Sequence, residues 1–106
     1  MQCYPGEDPR VTAYWINTFV EIIDEDKVGR YVELAGPAMT AAGGRFLARG
    51  RPAHTFEEAG ELRTSLIEFD SVEAAVAAYR SPAYQEALRV LDHGARREIR
   101  IVDGVD

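Results

Sequence analysis

Ala41-Ala42-Gly43-Gly44-Arg45-Phe46-Leu47-Ala48-Arg49-Gly50 fits the end of a helix, a turn and a strand into ten residues. Adjacent glycines suit the left-handed backbone that stops a helix, so a helix is predicted before Gly43 and a strand after Gly44. Simple alternation along that strand puts Arg45, Leu47 and Arg49 on one sheet face and Phe46 and Ala48 on the other.

Upstream, Asp24-Glu25-Asp26 supplies a helix N-cap and negative charge for the first turn. Val28, Tyr31, Val32, Ala35, Ala38, Met39 and Ala42 follow at steps of three and four and form an apolar stripe. Pro37 lies inside that helix and predicts a kink or break near Leu34 to Gly36, because proline lacks the N–H and crowds the preceding turn. Before it, Ala13 to Ile23 is aromatic, β-branched and apolar on both parities, the pattern of a central strand covered on both faces. Residues 1–11 hold two prolines, a glycine and several charges, and read as a flexible tail ahead of a single domain over 12–106.

Downstream, the polar run Arg51 to Gly60 reads as a loop, Glu61 to Asp70 as the next strand, and Asp70 or Ser71 as the cap of a helix whose stripe is Val72, Ala75, Val76 and Tyr79. Ser81-Pro82 starts a further helix, serine as N-cap and proline at the first turn, with Tyr84, Ala87, Leu88 and Leu91 inward and Gly94 ending it. Glu98 to Val102 is the last strand. The order is β-α-β-β-α-β, an α+β ferredoxin-like arrangement with a four-stranded antiparallel sheet.

Length and charge narrow the function. A chain of 106 residues has room for one domain and a thin core. Its net charge of −6, with no basic run longer than Arg96-Arg97, argues against nucleic acid or an anionic membrane as partner. Cys3 is the single cysteine, which rules out an intramolecular disulfide and a thiolate zinc cluster. Without a signal-like or membrane-length apolar run, a cytoplasmic location is expected. His54 and His93 are far apart in sequence and lack helical metal-site spacing, so neither a metal nor another cofactor is expected. Gly43-Gly44 runs from helix into strand, the reverse of a phosphate-binding loop, and no serine stands in a nucleophile elbow.

Several stretches together resemble one bacterial family: Ala13-Tyr14-Trp15-Ile16, Gly43 to Gly50, Ile67-Glu68-Phe69, Ala74-Ala75, Tyr79, Ser81-Pro82-Ala83-Tyr84-Gln85 and Ile101-Val102-Asp103-Gly104. That family is DUF1330, a domain of unknown function within the dimeric α/β-barrel superfamily. The resemblance implies a ferredoxin-like protomer whose open sheet packs on a second copy. It implies no activity, since the superfamily hosts cofactor-free monooxygenases, isomerases and haem enzymes alike.

Candidate site residues follow from polarity in the wrong place and from aromatic content. Trp15, Tyr31, Tyr79 and Tyr84 suit either a core or the wall of a pocket. Asn17 and Glu68 are polar within apolar strands, and pairing with each other or with Arg100 is the expected solution, with a ligand or a dimer seam as the alternative. If the Arg51 to Gly60 loop closes a hairpin with Arg49 opposite Arg63, two guanidinium groups stand side by side and need an acidic partner or an anion. Glu57, Glu58 and Glu61 are the expected partners; in the anion alternative Arg49 and Arg63 hold it, with His54 beside them. Two readings result: a homodimer that binds or transforms a small apolar or anionic molecule between sheet and helices, or a module whose only role is self-association.

Overall fold

The structure, a computed structural model, describes residues 11–105. Its elements are β1 (Ala13–Ile22), α1 (Glu25–Ala41), β2 (Arg45–Gly50), β3 (Thr64–Phe69), α2 (Val72–Arg80), α3 (Pro82–Leu91) and β4 (Ala95–Asp103). The strands form one antiparallel sheet in the order β2-β3-β1-β4, with β1 central as predicted. This is the ferredoxin-like β-α-β-β-α-β protomer, its second helical segment divided at Ser81. Most of the predicted tail lies outside the described residues; Val11 is buried.

Local chemistry sets each helix. Asp24 Oδ1 accepts from the backbone N–H of Asp26 at 3.0 Å and of Lys27 at 3.2 Å. Ser71 Oγ caps α2 by accepting from Ala74 N–H at 3.0 Å. Ser81 ends α2 and starts α3, its hydroxyl donating back to Ala78 O and accepting from Tyr84 N–H, with Pro82 in the first turn. α1 is not broken at Pro37. Both Pro37 and Glu33, whose carbonyl loses its helical donor, are exposed, so that carbonyl is open to solvent.

Three glycines serve two helix ends differently. Gly43 takes φ +98°, the left-handed turn expected after α1. Gly44 has ordinary φ, but a Cβ there would meet Ile67 Cγ2 and Phe69 Cζ at 2.8 Å, so this glycine lets α1's end lie against β3. After α3 the left-handed residues are Asp92 and His93, at φ 43° and 59°, and not Gly94. Gly94 is needed for close approach: a Cβ would sit 2.8 Å from Leu91 O and 2.9 Å from Lys27 Cβ.

Paired residues share a face. Trp15 lies between Ile67 and Ile101, Asn17 between Ser65 and Ile99, and Phe19 beside Arg97, all turned toward the helices. The core joins these to Tyr31, Ala35, Ala38 and Met39 of α1, Ala75 and Ala78 of α2, and Tyr84, Ala87 and Leu91 of α3. No helix among the described residues packs on the opposite face, where Tyr14, Ile16 and Leu66 are half-buried and Val102 is 47% exposed. The full double-sided burial expected of β1 is therefore not supplied by the described residues of one chain.

The β2–β3 register corrects the predicted hairpin. Arg45 pairs with Glu68, Phe46 with Ile67, Ala48 with Leu66 and Arg49 with Ser65, with a bulge between Phe46 and Ala48. The extra residue breaks the two-residue alternation, so Phe46 and Arg49 share the helix-facing side while Arg45 and Ala48 face the other way. Arg49 is thus opposite Ser65, not Arg63. β3 begins at Thr64 instead of Glu61, because β2 ends at Gly50, which pairs with Thr64. β4 starts earlier than predicted, pairing with β1 from Ala95 opposite Ile22 to Asp103 opposite Ala13.

Candidate functional site

A cleft opens between α1 and the helix-facing side of β1, β3 and β2, with an interior of about 40 Å³ and about 410 Å³ when the solvent at its mouth is counted. Three rows of side chains cross its floor. Trp15, Ile67 and Phe46 form one row; Asn17, Ser65 and Arg49 form the next; Phe19 and Arg63 form the third, joined by a bond from Phe19 N–H to Arg63 O at 3.0 Å. The middle row is polar across three strands, between an apolar row and the Phe19–Arg63 row. Tyr31, Ala35, Gly36 and Met39 of α1, with Tyr84 of α3, complete the walls.

The polar groups in this cleft are left over. Asn17 is 6% exposed and its Oδ1 has no hydrogen-bond partner. A buried acceptor in that state costs stability unless something bound to the protein donates to it. Arg49 and Arg63 form no ion pair with the described residues, although Glu57, Glu58 and Glu61 lie in the adjoining loop. Arg49 instead stacks its guanidinium 4.5 Å from the centre of the Phe46 ring, with Nη1 passing Gly36. That stacking leaves its N–H edge available.

A second cluster adjoins the cleft through Tyr31 and Tyr84. The Tyr31 and Tyr84 hydroxyls are 2.7 Å apart, and Arg97 Nη1 donates to Tyr31 at 2.6 Å and to Tyr84 at 3.3 Å. Arg97 also lies 4.7 Å from the Tyr31 ring centre and 5.8 Å from that of Phe19. Burial, reinforced by Tyr84, pushes the Tyr31 hydroxyl far above the usual tyrosine range, so it stays protonated. Burial opposes the charge on Arg97, and the two tyrosine oxygens offset this, holding the guanidinium above its ordinary value. Tyr84 packs edge-on to Trp15 with ring centres 5.4 Å apart.

Of the residues singled out from sequence, Trp15, Asn17, Arg49, Arg63 and Tyr84 meet in this cleft. Glu68 does not. It faces the opposite side of the sheet, accepting from Arg45 Nε at 2.9 Å and from the Tyr14 hydroxyl at 3.4 Å. The expected pairing of Asn17 or Glu68 with Arg100 fails too, since Arg100 bonds Glu98 at 3.3 Å. His54 is exposed in the β2–β3 loop and is not part of the cleft. Tyr79 is 38% exposed rather than buried, its ring 5.9 Å from Trp15, and it lines a separate groove with Val76, Arg80, Leu91 and Arg97. Ser65 and Arg97 were not singled out. Their parity opposite Asn17 and Phe19 is the only signal, and it needs the strand register to be read. Among the described residues no group of three histidine, cysteine, aspartate or glutamate side chains is placed to hold a metal.

A ferredoxin-like protomer with one sheet face uncovered by its own helices and a polar row beneath α1 defines the class. The chain belongs to the DUF1330 family, a domain of unknown function, whose model matches residues 12–105. No curated protein matches it. Solved structures share its fold at low identity. A protein of unknown function from Rhodopseudomonas palustris superposes with a TM-score of 0.72 at 16% identity, over 94% of this chain and 87% of that one. A dimeric ferredoxin-like protein of unknown function from Thermobifida fusca gives 0.65 at 14%, over 97% of each. SnoaB, a cofactor-independent oxygenase from Streptomyces nogalater, gives 0.64 at 9%, over 91% of this chain and 95% of that one. At such identities the likeness concerns fold alone. No helix among the described residues is long and apolar enough to cross a membrane.

Proposed function

We propose that this protein is a homodimer that binds a small organic anion with an apolar body in the cleft between α1 and the sheet. The observation that carries this reading is the buried, partnerless Asn17 Oδ1 in a cleft whose mouth holds two guanidinium groups without acidic partners among the described residues. Trp15, Phe19, Phe46 and Met39 supply apolar walls, and Arg49 and Arg63 supply charge-assisted donors suited to a carboxylate or phosphate. The uncovered sheet face and the dimeric description of the Thermobifida fusca neighbour support the second copy. The fold shared with a cofactor-independent oxygenase makes conversion of the bound molecule without a cofactor a natural extension of this reading.

The test is a titration of phosphate and of aliphatic and aromatic carboxylates against thermal stability, for the parent and for Arg49→Ala. A site-specific anion raises the parent's melting temperature by mass action and leaves the variant nearly unmoved. Equal shifts in both, or none in either, overturn the anion site and leave self-association as the role.

A further inference from the structure

The tyrosine pair beside the cleft leaves one phenolic hydrogen over. Each phenol carries one O–H hydrogen. One of the two is used between Tyr31 and Tyr84, and Arg97 already donates to both oxygens. The remaining phenolic hydrogen has no acceptor among the described residues, whichever tyrosine keeps it. Asn17 Oδ1, meanwhile, is an acceptor with no donor.

These two unmet groups belong to residues that line the same cleft. Trp15, Asn17 and Phe19 lie on one side of β1 at successive two-residue steps. Tyr84 packs its ring on Trp15, and Arg97, bonded to the Tyr84 and Tyr31 hydroxyls, reaches over Phe19. Asn17, Tyr31 and Tyr84 all line the cleft, so one bound group in it has access to both. A group that both accepts and donates would satisfy both, and a hydroxyl is the smallest organic group that does so. Across the sheet, Arg49 lies in the same row as Asn17, two strands away, at roughly 10 Å between backbones. An aromatic ring with opposed polar ends spans that gap.

The geometry points to a hydroxyaryl carboxylate as the ligand class: hydroxyl inward, accepting from the free phenol of the Tyr31–Tyr84 pair and donating to Asn17 Oδ1, and carboxylate outward on Arg49 and Arg63. This rests on the anion site proposed above and adds the requirement for the inner hydroxyl. Tyr31, Tyr84 and Asn17 read the hydroxyl; Arg97 holds the tyrosines and is a positioning residue.

The experiment is calorimetric binding of benzoate, 4-hydroxybenzoate and 4-methoxybenzoate to the parent, Asn17→Leu and Tyr84→Phe. In the parent 4-hydroxybenzoate binds about tenfold more tightly than benzoate, and the methoxy compound, which cannot donate, loses that gain. Either substitution removes the preference for the hydroxyl while benzoate still binds, and the ligand comparison in the parent stands by itself if a variant does not fold. Equal affinity for all three compounds in the parent overturns the inner hydroxyl, with a resident water satisfying the two groups, and leaves the anion site intact. So does a preference that survives in both folded variants. Binding of none of the three overturns this proposal, and failure of phosphate and the other carboxylates to stabilise the parent then overturns the anion site as well.

Discussion

Gly43 and Gly44 are neighbours with different tasks. Gly43 is glycine for its backbone, at φ +98°, and has open space where a Cβ would go. Gly44 is glycine for its surroundings, pressed against Ile67, Phe69 and the Met39 carbonyl. Gly43→Ala should cost about 1 kcal/mol from strain in the left-handed region. Gly44→Ala should cost more, about 2 to 3 kcal/mol, because the side chains it meets are fixed in the core. Urea unfolding of both variants checks the order; a Gly44→Ala protein as stable as the parent would mean α1 is not held against β3. Asn17 makes the same point for a polar residue. Its identity announces that something is unusual in β1, but only its neighbours reveal that no pairing satisfies it.

At the scale of elements, α1 and β2 decide the site together. α1 runs through Pro37 as one helix, with the proline on its exposed side, and presents Tyr31, Ala35 and Met39 to the sheet. Since Pro37 contacts solvent and removes a helical bond, Pro37→Ala should stabilise the protein by about 1 kcal/mol or more, read as a higher urea midpoint. An unchanged or lowered midpoint would show that the local geometry at Pro37 is required for the fit of α1. α1 is also tied to the end of α3, where Lys27 Nζ meets Asp92 Oδ2 at 2.8 Å and holds that carboxyl below its ordinary range. The link is present above the usual carboxylate range and is lost as pH falls through the lowered value. In β2 the bulge at Leu47 is the decisive feature, because it brings Arg49 to the side of Phe46 and into the cleft.

For the whole molecule, the uncovered sheet face sets the expectation of a second copy. Ile16 and Leu66 are paired at its centre, flanked by Tyr14 and Val102, while Arg45–Glu68 and Arg96–Glu21 at the periphery satisfy their own charges. An apolar centre with paired charges around it suits association better than exposure. Light scattering should give twice the chain mass of 11.8 kDa at micromolar concentration. Ile16→Glu should give the single-chain mass and a lower melting temperature, since in the proposed dimer it places an unpaired charge between the two sheets. A parent protein of single-chain mass would refute the dimer, whatever the variant does.

The sequence by itself determined the order of elements, the central place of β1, the caps at Asp24, Ser71 and Ser81, and the stripe of α1, because these rest on periodicity and on bonds within a few residues. The likeness of its motifs to DUF1330 was legible for the same reason, being carried by short runs at the joints of the fold. Strand register and packing decided the rest. A one-residue bulge changed which face Arg49 occupies, the extra contacts of Gly44 and Gly94 came from elements distant in sequence, and the unmet groups of Asn17, Tyr31 and Tyr84 emerged only once three strands and two helices met. Alternation is a property of a strand, whereas a missing hydrogen-bond partner is a property of everything around it.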